Sequence, residues 1–528
     1  MILSHLSRIQ MTNFRTRVAP GGFLLRFSSR FVCLAILIFA FASAYHRAGD
    51  PMDEGMLLVY PELIQHGELP YRDFESVYGP GNWYFLAGVY GLFGTHINVE
   101  RTVGLAYRLA CILAIFVLTR HWGLTVATCC MLLAGAILIS SGIEALSWYG
   151  AMAFALSAIA LLVGGNSVSR CVAAGFLAGI AILFRIDIAP ALMLAALPIL
   201  WNLDWRRRAL LSGVAGVTAL LPLLAIACFA GLGTVLHNIF FVPVIYSSPA
   251  HKIPFSTVEP RLAQFFVVHL LAAMVNIAAA VVAVRREQNK TAALAFLAAA
   301  LFAAGITHQP YHRLDFVHLL FALFVTIPFL PLSGILLAQT IRPLSRSVAA
   351  GLAAACAVFL FVCMYRVRVE TLFALRGPFQ SARSSLLVEK NGRAFLLQPP
   401  AATVAVRELL RELDEISKPG ETLFVGPADL RRAPYADTFI YHLMPKLHHA
   451  SYFLEMNHFS MNAVGSRLTS DLEHADWLVL NSAWDDYFKE ENASRVNGPD
   501  APMRVLARNF TLVHEYDTFA LYRRTSSR

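Results

Sequence analysis

The stretch that decides the fold is CVAAGFLAGIAILFRIDIAPALMLAALPILWNL, residues 171–203. As one straight helix its 33 residues would measure about 50 Å, whereas a hydrocarbon core of about 30 Å needs far fewer. Basic residues flank both ends, with Arg170 before the stretch and 206–208 after it, so both ends are predicted to be cytoplasmic. The stretch is therefore predicted to be a helical hairpin whose outer tip carries Arg185 and Asp187.

Further apolar windows of membrane-spanning length occur up to residue 367. Of 528 residues, 57% are hydrophobic and only 15% charged, and the mean hydropathy is +0.57. Such values are far from those of a water-soluble globular domain. The predicted fold class is a polytopic α-helical membrane protein with about 11 transmembrane helices. These lie near 31–48, 101–119, 123–141, 147–165, 171–184, 188–203, 209–230, 262–284, 291–306, 317–338 and 347–367.

The distribution of arginine and lysine predicts the orientation. Residues 1–30 contain five arginines and no acidic residue, so this segment is predicted to be cytoplasmic. Ala42-Ser43-Ala44 resembles a signal-peptidase site, but the basic segment is long for a signal peptide, so the first helix is expected to stay attached. Eleven crossings then place the C-terminus outside the cytoplasm. The transmembrane module is predicted at 31–367, with a large first outer loop at 49–100. A second outer loop is expected at 231–261 and a short one at 307–316.

From residue 368 the apolar runs shorten and charged residues return, as expected for an aqueous domain. Residues 404–416 have helical spacing, whereas 422–425 and 477–480 are typical of buried strands. The end of the chain, 511–522, resembles a terminal strand pair. The sequence therefore predicts an extracytoplasmic α/β domain at 368–528.

The net charge of +9 is unevenly distributed. The first 367 residues hold 24 Lys/Arg against 14 Asp/Glu, and the remainder holds 19 against 20. This favours loop charges that set orientation and an anionic lipid-phosphate ligand, and it excludes a basic nucleic-acid-binding domain. All eight cysteines lie in apolar windows without metal-type spacing, which is typical of packing residues.

The first outer loop holds the densest set of polar signals. Its motifs are, in order, Asp50, Asp53-Glu54, GELPYRDF at 67–74 with Asp73, and YGP at 78–80. Carboxylates at a membrane interface can act as a general base for an acceptor hydroxyl or as ligands of a divalent ion. An isolated acid in such a loop is more often only a solvated charge.

The order of these motifs resembles that of GT-C fold glycosyltransferases that use a polyprenyl-phosphate-linked sugar. The nearest resemblance is to bacterial relatives of protein O-mannosyltransferases and of the lipid A aminoarabinose transferase. The shared pattern is a first helix, Asp-Glu, Gly-x-x-Pro-Tyr-x-Asp, Gly-Pro, an aromatic stretch ending at Gly94, and Arg101 at the start of helix 2. It covers 50–101 in motif and about 31–370 in topology.

The resemblance implies catalytic roles for acidic residues. The family's proposed base is an acid of the first outer loop, which corresponds to Asp53, with Glu54 beside it. A second acid often follows helix 3, and Glu144 occupies that place; a helix cap or an exposed turn is the alternative for Glu144. Phosphate is an adequate leaving group once cations pair with it, so no protein nucleophile is required and inversion is expected.

Further polar residues are predicted to bind the substrate on the same outer side. They are Asp73, Arg185, Asp187, Lys252, His312, Arg313 and Asp315. Arginine's planar fork binds phosphate oxygens, and neighbouring aspartates can orient it. Lys252 could equally be an interfacial anchor. The spacing of His312, Asp315 and His318 matches no recognised metal site, so no metal ligands are predicted, while a divalent metal ion as cofactor stays open.

The predicted function is an inverting glycosyltransferase of the bacterial inner membrane, working on its outer face. Its predicted partners are a polyprenyl-phosphate-sugar donor, a glycan, lipid or protein acceptor, and membrane lipid, but not nucleic acid. The C-terminal domain is expected to help bind the acceptor. The competing hypothesis is a transporter or flippase of a lipid-linked saccharide. Transporters commonly have paired repeats and broken midplane helices, whereas the charged residues here cluster at one interface.

Overall fold

A computed structural model describes residues 32–246, 252–253, 255–286, 289–376, 386–456, 460–485 and 497–525. The predicted cytoplasmic segment 1–30 lies outside the described residues. The helices up to residue 376 are α1 (Val32–His46), α2 (Asp53–Gln65), α3 (Gly81–Phe93), α4 (Ile97–Trp122), α5 (Leu124–Ile139), α6 (Ser147–Gly164), α7 (Val168–Phe184), α8 (Ile186–Trp201), α9 (Trp205–Ala230), α10 (Leu232–Tyr246), α11 (Pro260–Arg286), α12 (Lys290–Gly305), α13 (His308–His312), α14 (Phe316–Ile341), α15 (Arg346–Cys363) and α16 (Tyr365–Arg376).

The predicted transmembrane segments are all confirmed as helices. They correspond to α1, α4 to α9, α11, α12, α14 and α15. In the described part of the chain, seven helices are long and apolar enough to cross a membrane by length and composition: α4, α6, α9, α11, α12 with α13, α14 and α15. The others are shorter apolar helices. The chain is therefore an integral membrane protein.

The chain reverses direction between α7 and α8, as the hairpin prediction requires. A Cβ at Gly175 would lie 2.5 Å from the Leu211 carbonyl oxygen, and one at Gly179 would lie 2.6 Å from that of Ala215. Small residues four apart allow such close helix approach. Because both contacts advance in the same direction along α7 and α9, these helices are parallel, and α8 between them runs the opposite way.

The predicted outer loops contain more helix than expected. The predicted outer loop at 231–261 contains the helix α10 (Leu232–Tyr246), which the sequence did not predict. This segment is apolar and uncharged, and Phe240 and Phe241 are exposed on the helix surface, so it can face lipid rather than water. The first outer loop, 49–100, contains α2 and α3, and the short loop 307–316 contains α13.

The C-terminal part forms the predicted α/β domain. Its strands are β1 (Leu387–Lys390), β2 (Arg393–Leu396), β3 (Thr422–Pro427), β4 (His448–His449), β5 (Trp477–Asn481), β6 (Phe510–Tyr516) and β7 (Phe519–Arg524). The five-stranded sheet has the order β4-β3-β5-β7-β6, with β3 parallel to both β4 and β5. These strands and the helix Pro400–Ile416 confirm the elements predicted there. The carboxyl ends of β3 and β5 lie at the same sheet edge.

The α/β domain docks on the segment between α1 and α4. The Gly49 amide donates a hydrogen bond to the Leu396 carbonyl oxygen at 2.8 Å. Arg393 forms a salt bridge with Glu62 at 2.5 Å, and His449 lies 2.8 Å from Glu68. The domain and the first part of the bundle are thereby fixed relative to each other, so that residues from both can contribute to one site.

The orientation of the bundle gives a first testable prediction. Truncation fusions to a reporter after Arg346, which begins α15, and after Leu397, which follows β2, are expected to report opposite sides of the membrane, because α15 crosses between them. Activity of an alkaline phosphatase reporter only at the second position would agree with an outer α/β domain. The same compartment at both positions would overturn the topology.

Candidate functional site

Asp53 is the first residue of α2, at the end of the bundle where α1 terminates. Asp50 stabilises this helix start, because its Oδ1 accepts hydrogen bonds from the backbone amides of Met52 at 3.1 Å and Asp53 at 2.8 Å. Acidic residues are favoured at helix N-termini, where the backbone amides are unpaired. The Asp53 carboxylate is therefore carried on a fixed helix end rather than on a free loop.

Glu54 has a different environment from Asp53. Its two carboxylate oxygens accept hydrogen bonds from Arg101 at 2.6 and 2.8 Å, and the Glu54 and Arg101 side chains are 0% and 1% exposed. Arg101 also donates to the carbonyl oxygens of Tyr45 at 2.7 Å and Arg47 at 3.0 Å. Glu54 thus anchors the turn that carries Asp53, with both of its oxygens already occupied.

The loop that carries Glu144 is held against α4. Arg108 donates to the carbonyl oxygens of Glu144 at 2.8 Å and Ser141 at 3.3 Å. The Ala145 amide donates to Glu100 Oε1 at 2.5 Å. Glu144 lies between α5 and α6. The backbone of this loop is held in place by Arg108 and Glu100, two buried charged residues of α4.

Electrostatic coupling shows which predicted residues come together. Burial raises the pKa of Asp53 to about 6, the Arg313 guanidinium lowers it, and the Glu144 carboxylate raises it. Burial also raises the pKa of Asp50 well above its usual value, with the charges of Asp53 and Glu144 acting in the same direction. Asp53, Glu144 and Arg313 therefore lie near enough to interact, although they are far apart in sequence.

Two arginines of the site are held in the same way. Arg185 donates to Asp187 through Nε at 2.9 Å and Nη2 at 2.6 Å, and Arg313 donates through Nε to Asp315 at 2.9 Å. Both arginines follow the last residue of a helix in extended conformation, with φ/ψ of −144°/105° and −134°/98°. In both tripeptides, Arg-Ile-Asp and Arg-Leu-Asp, the arginine is thus oriented by the aspartate two residues later.

Both arginine turns interact with one aromatic residue, Tyr78. The Arg185 Cζ lies 5.0 Å from the ring centroid of Tyr78. Burial raises the pKa of Tyr78, the charge of Asp53 raises it further, and Arg185 and Arg313 oppose this. Gln309, four residues before Arg313, donates a hydrogen bond to Asp187 and so links the turns. Tyr78 therefore lies among the proposed base and both cations.

Three other predicted residues lie at or beyond the edge of this site. Lys252 Nζ is 5.3 Å from the Tyr311 ring centroid and interacts electrostatically with His312, so both flank the Arg313 turn. Asp73 accepts hydrogen bonds from Arg72 at 2.7 Å and from the Leu69 amide at 2.8 Å. Its charge partners are Arg72 and a histidine of the α/β domain, which places it in a turn apart from Asp53.

The described residues contain no group of three or more His, Cys, Asp or Glu side chains that could hold a metal ion. His318 lies 2.9 Å from Asp315, which pairs with Arg313. Asp315 therefore belongs to the Arg313 turn, where it accepts the hydrogen bond from Arg313 Nε.

Sequence reasoning missed the residues that support the site. Arg108 and Glu100 lie within an apolar helix, and such residues are expensive in a membrane and are functional candidates by default. Trp148 stacks on Phe321 with a centroid distance of 5.1 Å and lies 5.4 Å from Arg185 Cζ. Its buried Nε1 has no hydrogen-bond partner within the described ranges. The charges of Arg108 and Glu100 inside an apolar window could have identified these two residues from the sequence, but no sequence signal marks Trp148.

Comparison with known proteins identifies the fold. No family model and no curated protein matches the chain. Two solved structures of ArnT from Cupriavidus metallidurans are similar in structure. The one bound to undecaprenyl phosphate has a TM-score of 0.54 at 15% identity over 96% of this chain and 99% of that chain. The apo structure has a TM-score of 0.51 at 16% identity over 95% and 98%. Over almost its full length, the chain has the GT-C fold of ArnT, as predicted.

Proposed function

We propose that this protein is an inverting glycosyltransferase that moves a sugar from a polyprenyl-phosphate-linked donor to an acceptor on the outer face of a bacterial inner membrane. One observation carries the proposal: the Asp53 carboxylate interacts with Arg313 and Glu144, and Arg185 lies 5.0 Å from the ring of Tyr78, on which the charge of Asp53 also acts. A base beside paired cations is what attack on a sugar phosphate requires. The fold adds support, because the ArnT neighbour was solved with undecaprenyl phosphate.

In the proposed reaction Asp53 removes the proton from an acceptor hydroxyl as its oxygen attacks C1 of the donor sugar. The new bond forms between C1 and the acceptor oxygen, and the bond between C1 and the phosphate oxygen breaks. The polyprenyl phosphate leaves with the bonding electron pair. A single displacement inverts the configuration at C1. Glu144 raises the proton affinity of Asp53, which favours proton capture near neutral pH.

The arginine turns suit a leaving phosphate. Arg185 uses Nε and Nη2 on Asp187, so Nη1 remains as a donor for a phosphate oxygen. Each aspartate fixes the plane of its guanidinium before a ligand arrives, and preorganised donors cost little reorganisation as negative charge develops. Lys252 adds a third positive charge at the edge of this site.

Loss of either arginine is therefore expected to weaken binding of the donor lipid. Each charge-assisted hydrogen bond contributes about 1.5–3 kcal/mol, so Arg185→Gln and Arg313→Gln should each raise the Kd for undecaprenyl phosphate about 10- to 100-fold. Native mass spectrometry of the full chain with titrated lipid measures this. Arg206→Gln is the matched control, since Arg206 packs on Trp205 at the start of α9. Wild-type affinity in both site variants would remove these arginines from the donor site.

A further inference from the structure

A cavity lies beside the proposed base, between the bundle and the α/β domain. Its volume is about 600 Å³, within the range of small-molecule sites. The polar and aromatic side chains of its lining are Arg47, Asp50, Glu370, Phe373, Gln398 and Trp484. They come from the end of α1, the first loop, α16 and the α/β domain. The cavity reaches the proposed catalytic centre at Asp50, whose Oδ1 holds the Asp53 amide at 2.8 Å.

The walls of this cavity are held in place. Trp484 donates from Nε1 to Asp437 at 2.7 Å, and its ring packs on Tyr435 with a centroid distance of 4.6 Å. Tyr435 in turn donates its hydroxyl proton to Asp50. The Pro51 carbonyl oxygen accepts from the Phe439 amide at 3.2 Å. The cavity therefore exists before any ligand binds.

The position in the sheet is one where α/β domains bind ligands. Trp484 lies in the turn Ser482–Trp484, directly after β5 ends at Asn481. β5 is parallel to β3, and crevices outside the carboxyl ends of parallel strands are the usual ligand sites of open α/β sheets.

Several lining groups are available to a ligand. The Arg47 and Glu370 side chains, paired at 3.2 Å, are 28% and 35% exposed and offer a donor and an acceptor. The Gln398 side chain is exposed and Phe373 is 51% exposed. Donors, acceptors and aromatic faces together are what a saccharide needs, since its hydroxyls both donate and accept while its C–H faces pack on rings.

The charged residues that line the cavity favour an uncharged acceptor over an anionic one. Its one cation, Arg47, is balanced by Glu370, and Asp50 is the remaining acid among the described lining residues. An acceptor phosphate would find no unbalanced cation there. Burial raises the pKa of Asp50 well above its usual value, and its Oδ1 accepts hydrogen bonds from the backbone amides of Met52 and Asp53.

We infer that this cavity is the acceptor site and that the acceptor is a neutral saccharide, whose reacting hydroxyl reaches Asp53 past Asp50. The inference rests on the proposed function and names the substrate class of the same enzyme. The saccharide could be the head group of a glycolipid or a water-soluble glycan. Both present the same hydroxyl chemistry, and the exposed position of α16 residue Phe373 allows either.

The test uses hydrogen exchange of the full chain in nanodiscs, reading segments 365–376 and 393–398. The probes are glycolipids extracted from the membranes of the cells that naturally produce this protein, water-soluble glycans released from the envelope of the same cells, and a Ser/Thr-rich peptide. One of the two saccharide probes is expected to protect both segments, which also identifies its source. Phe373→Ala and Gln398→Leu should each raise the half-saturating probe concentration at least about tenfold. Phe359→Ala, exposed on α15, is the control and should change nothing.

Binding of undecaprenyl phosphate, measured in parallel, distinguishes failure of the acceptor inference from failure of the proposed function. If wild-type protein binds undecaprenyl phosphate but neither saccharide probe protects the segments, or only the peptide does, the acceptor inference is overturned and the proposed function is not. Wild-type saccharide affinity in both variants, or loss of binding after enzymatic removal of phosphate from the probe, overturns it equally. Failure of wild-type protein to bind undecaprenyl phosphate overturns the proposed function and this inference with it.

Discussion

Asp53→Asn is expected to lower the rate of sugar transfer at least about a hundredfold, because general-base assistance typically contributes 10²- to 10⁴-fold. The amide keeps the shape of the side chain but cannot take the proton of the acceptor hydroxyl. Since Asp50 and the Glu54–Arg101 pair hold the start of α2, insertion and folding should survive. Transfer is measured as release of polyprenyl phosphate from the donor, and donor binding in the same variant should stay at the wild-type level.

Neighbouring acids provide the controls for this assignment. Asp73→Asn removes an acid of the same loop that lies in a separate turn with Arg72, and it should retain most activity. Glu54→Gln tests whether the assignment is displaced by one residue. Full activity in Asp53→Asn together with loss in a correctly folded Glu54→Gln protein would move the base to Glu54. Full activity in both would remove general-base catalysis from this loop.

The pH dependence of the wild-type reaction checks the same residue by another route. Burial and Glu144 raise the pKa of Asp53 to about 6, and a base works only when deprotonated. The rate should therefore rise with pH through about 6 and level off above it. Asp50 and Asp53 interact, so the acidic limb reports the pair. A profile that stays flat from pH 5 to 8 would exclude a base with this pKa.

The bundle and the α/β domain could be predicted from sequence because their signals are local. Apolar window length gave the transmembrane segments, and the basic residues around 171–203 indicated the reversal that the parallel packing of α7 and α9 requires. Alternating and continuous apolar runs gave β3 and β5. The helix α10 was missed because an apolar segment containing Gly231 and Pro243 has both helical and loop signals.

The site could be predicted only in part because its geometry is non-local. Asp53, Glu144 and Arg313 were candidates, but their convergence depends on how three separated segments pack. The shared Arg-Ile-Asp and Arg-Leu-Asp turns were visible in sequence, yet a tripeptide is too short to be recognised without its backbone. Glu54 was a candidate base only because it is adjacent to Asp53. Its pairing with Arg101, 47 positions away, could not be seen in the sequence.

Arg101→Ala is expected to be the most destabilising single change near the site. It leaves the Glu54 carboxylate buried without its partner and removes donors from the carbonyl oxygens of Tyr45 and Arg47. Breaking a buried pair by removing one partner costs about 3–5 kcal/mol. The thermal unfolding midpoint of the purified protein should fall markedly, as should its yield. Arg170→Ala, near the start of α7, is the control at a partly exposed position.

The double variant Arg101→Met with Glu54→Leu separates stability from catalysis. Replacing both members by apolar residues of similar volume removes the uncompensated charge, and such replacements are often neutral or stabilising. We expect the unfolding midpoint to recover well above that of Arg101→Ala. Transfer should nevertheless stay below wild type, because the turn that positions Asp53 loses its link to the end of α1. Recovery of stability together with wild-type transfer would show that the pair only stabilises the fold, whereas wild-type stability in Arg101→Ala itself would contradict its burial as an ion pair.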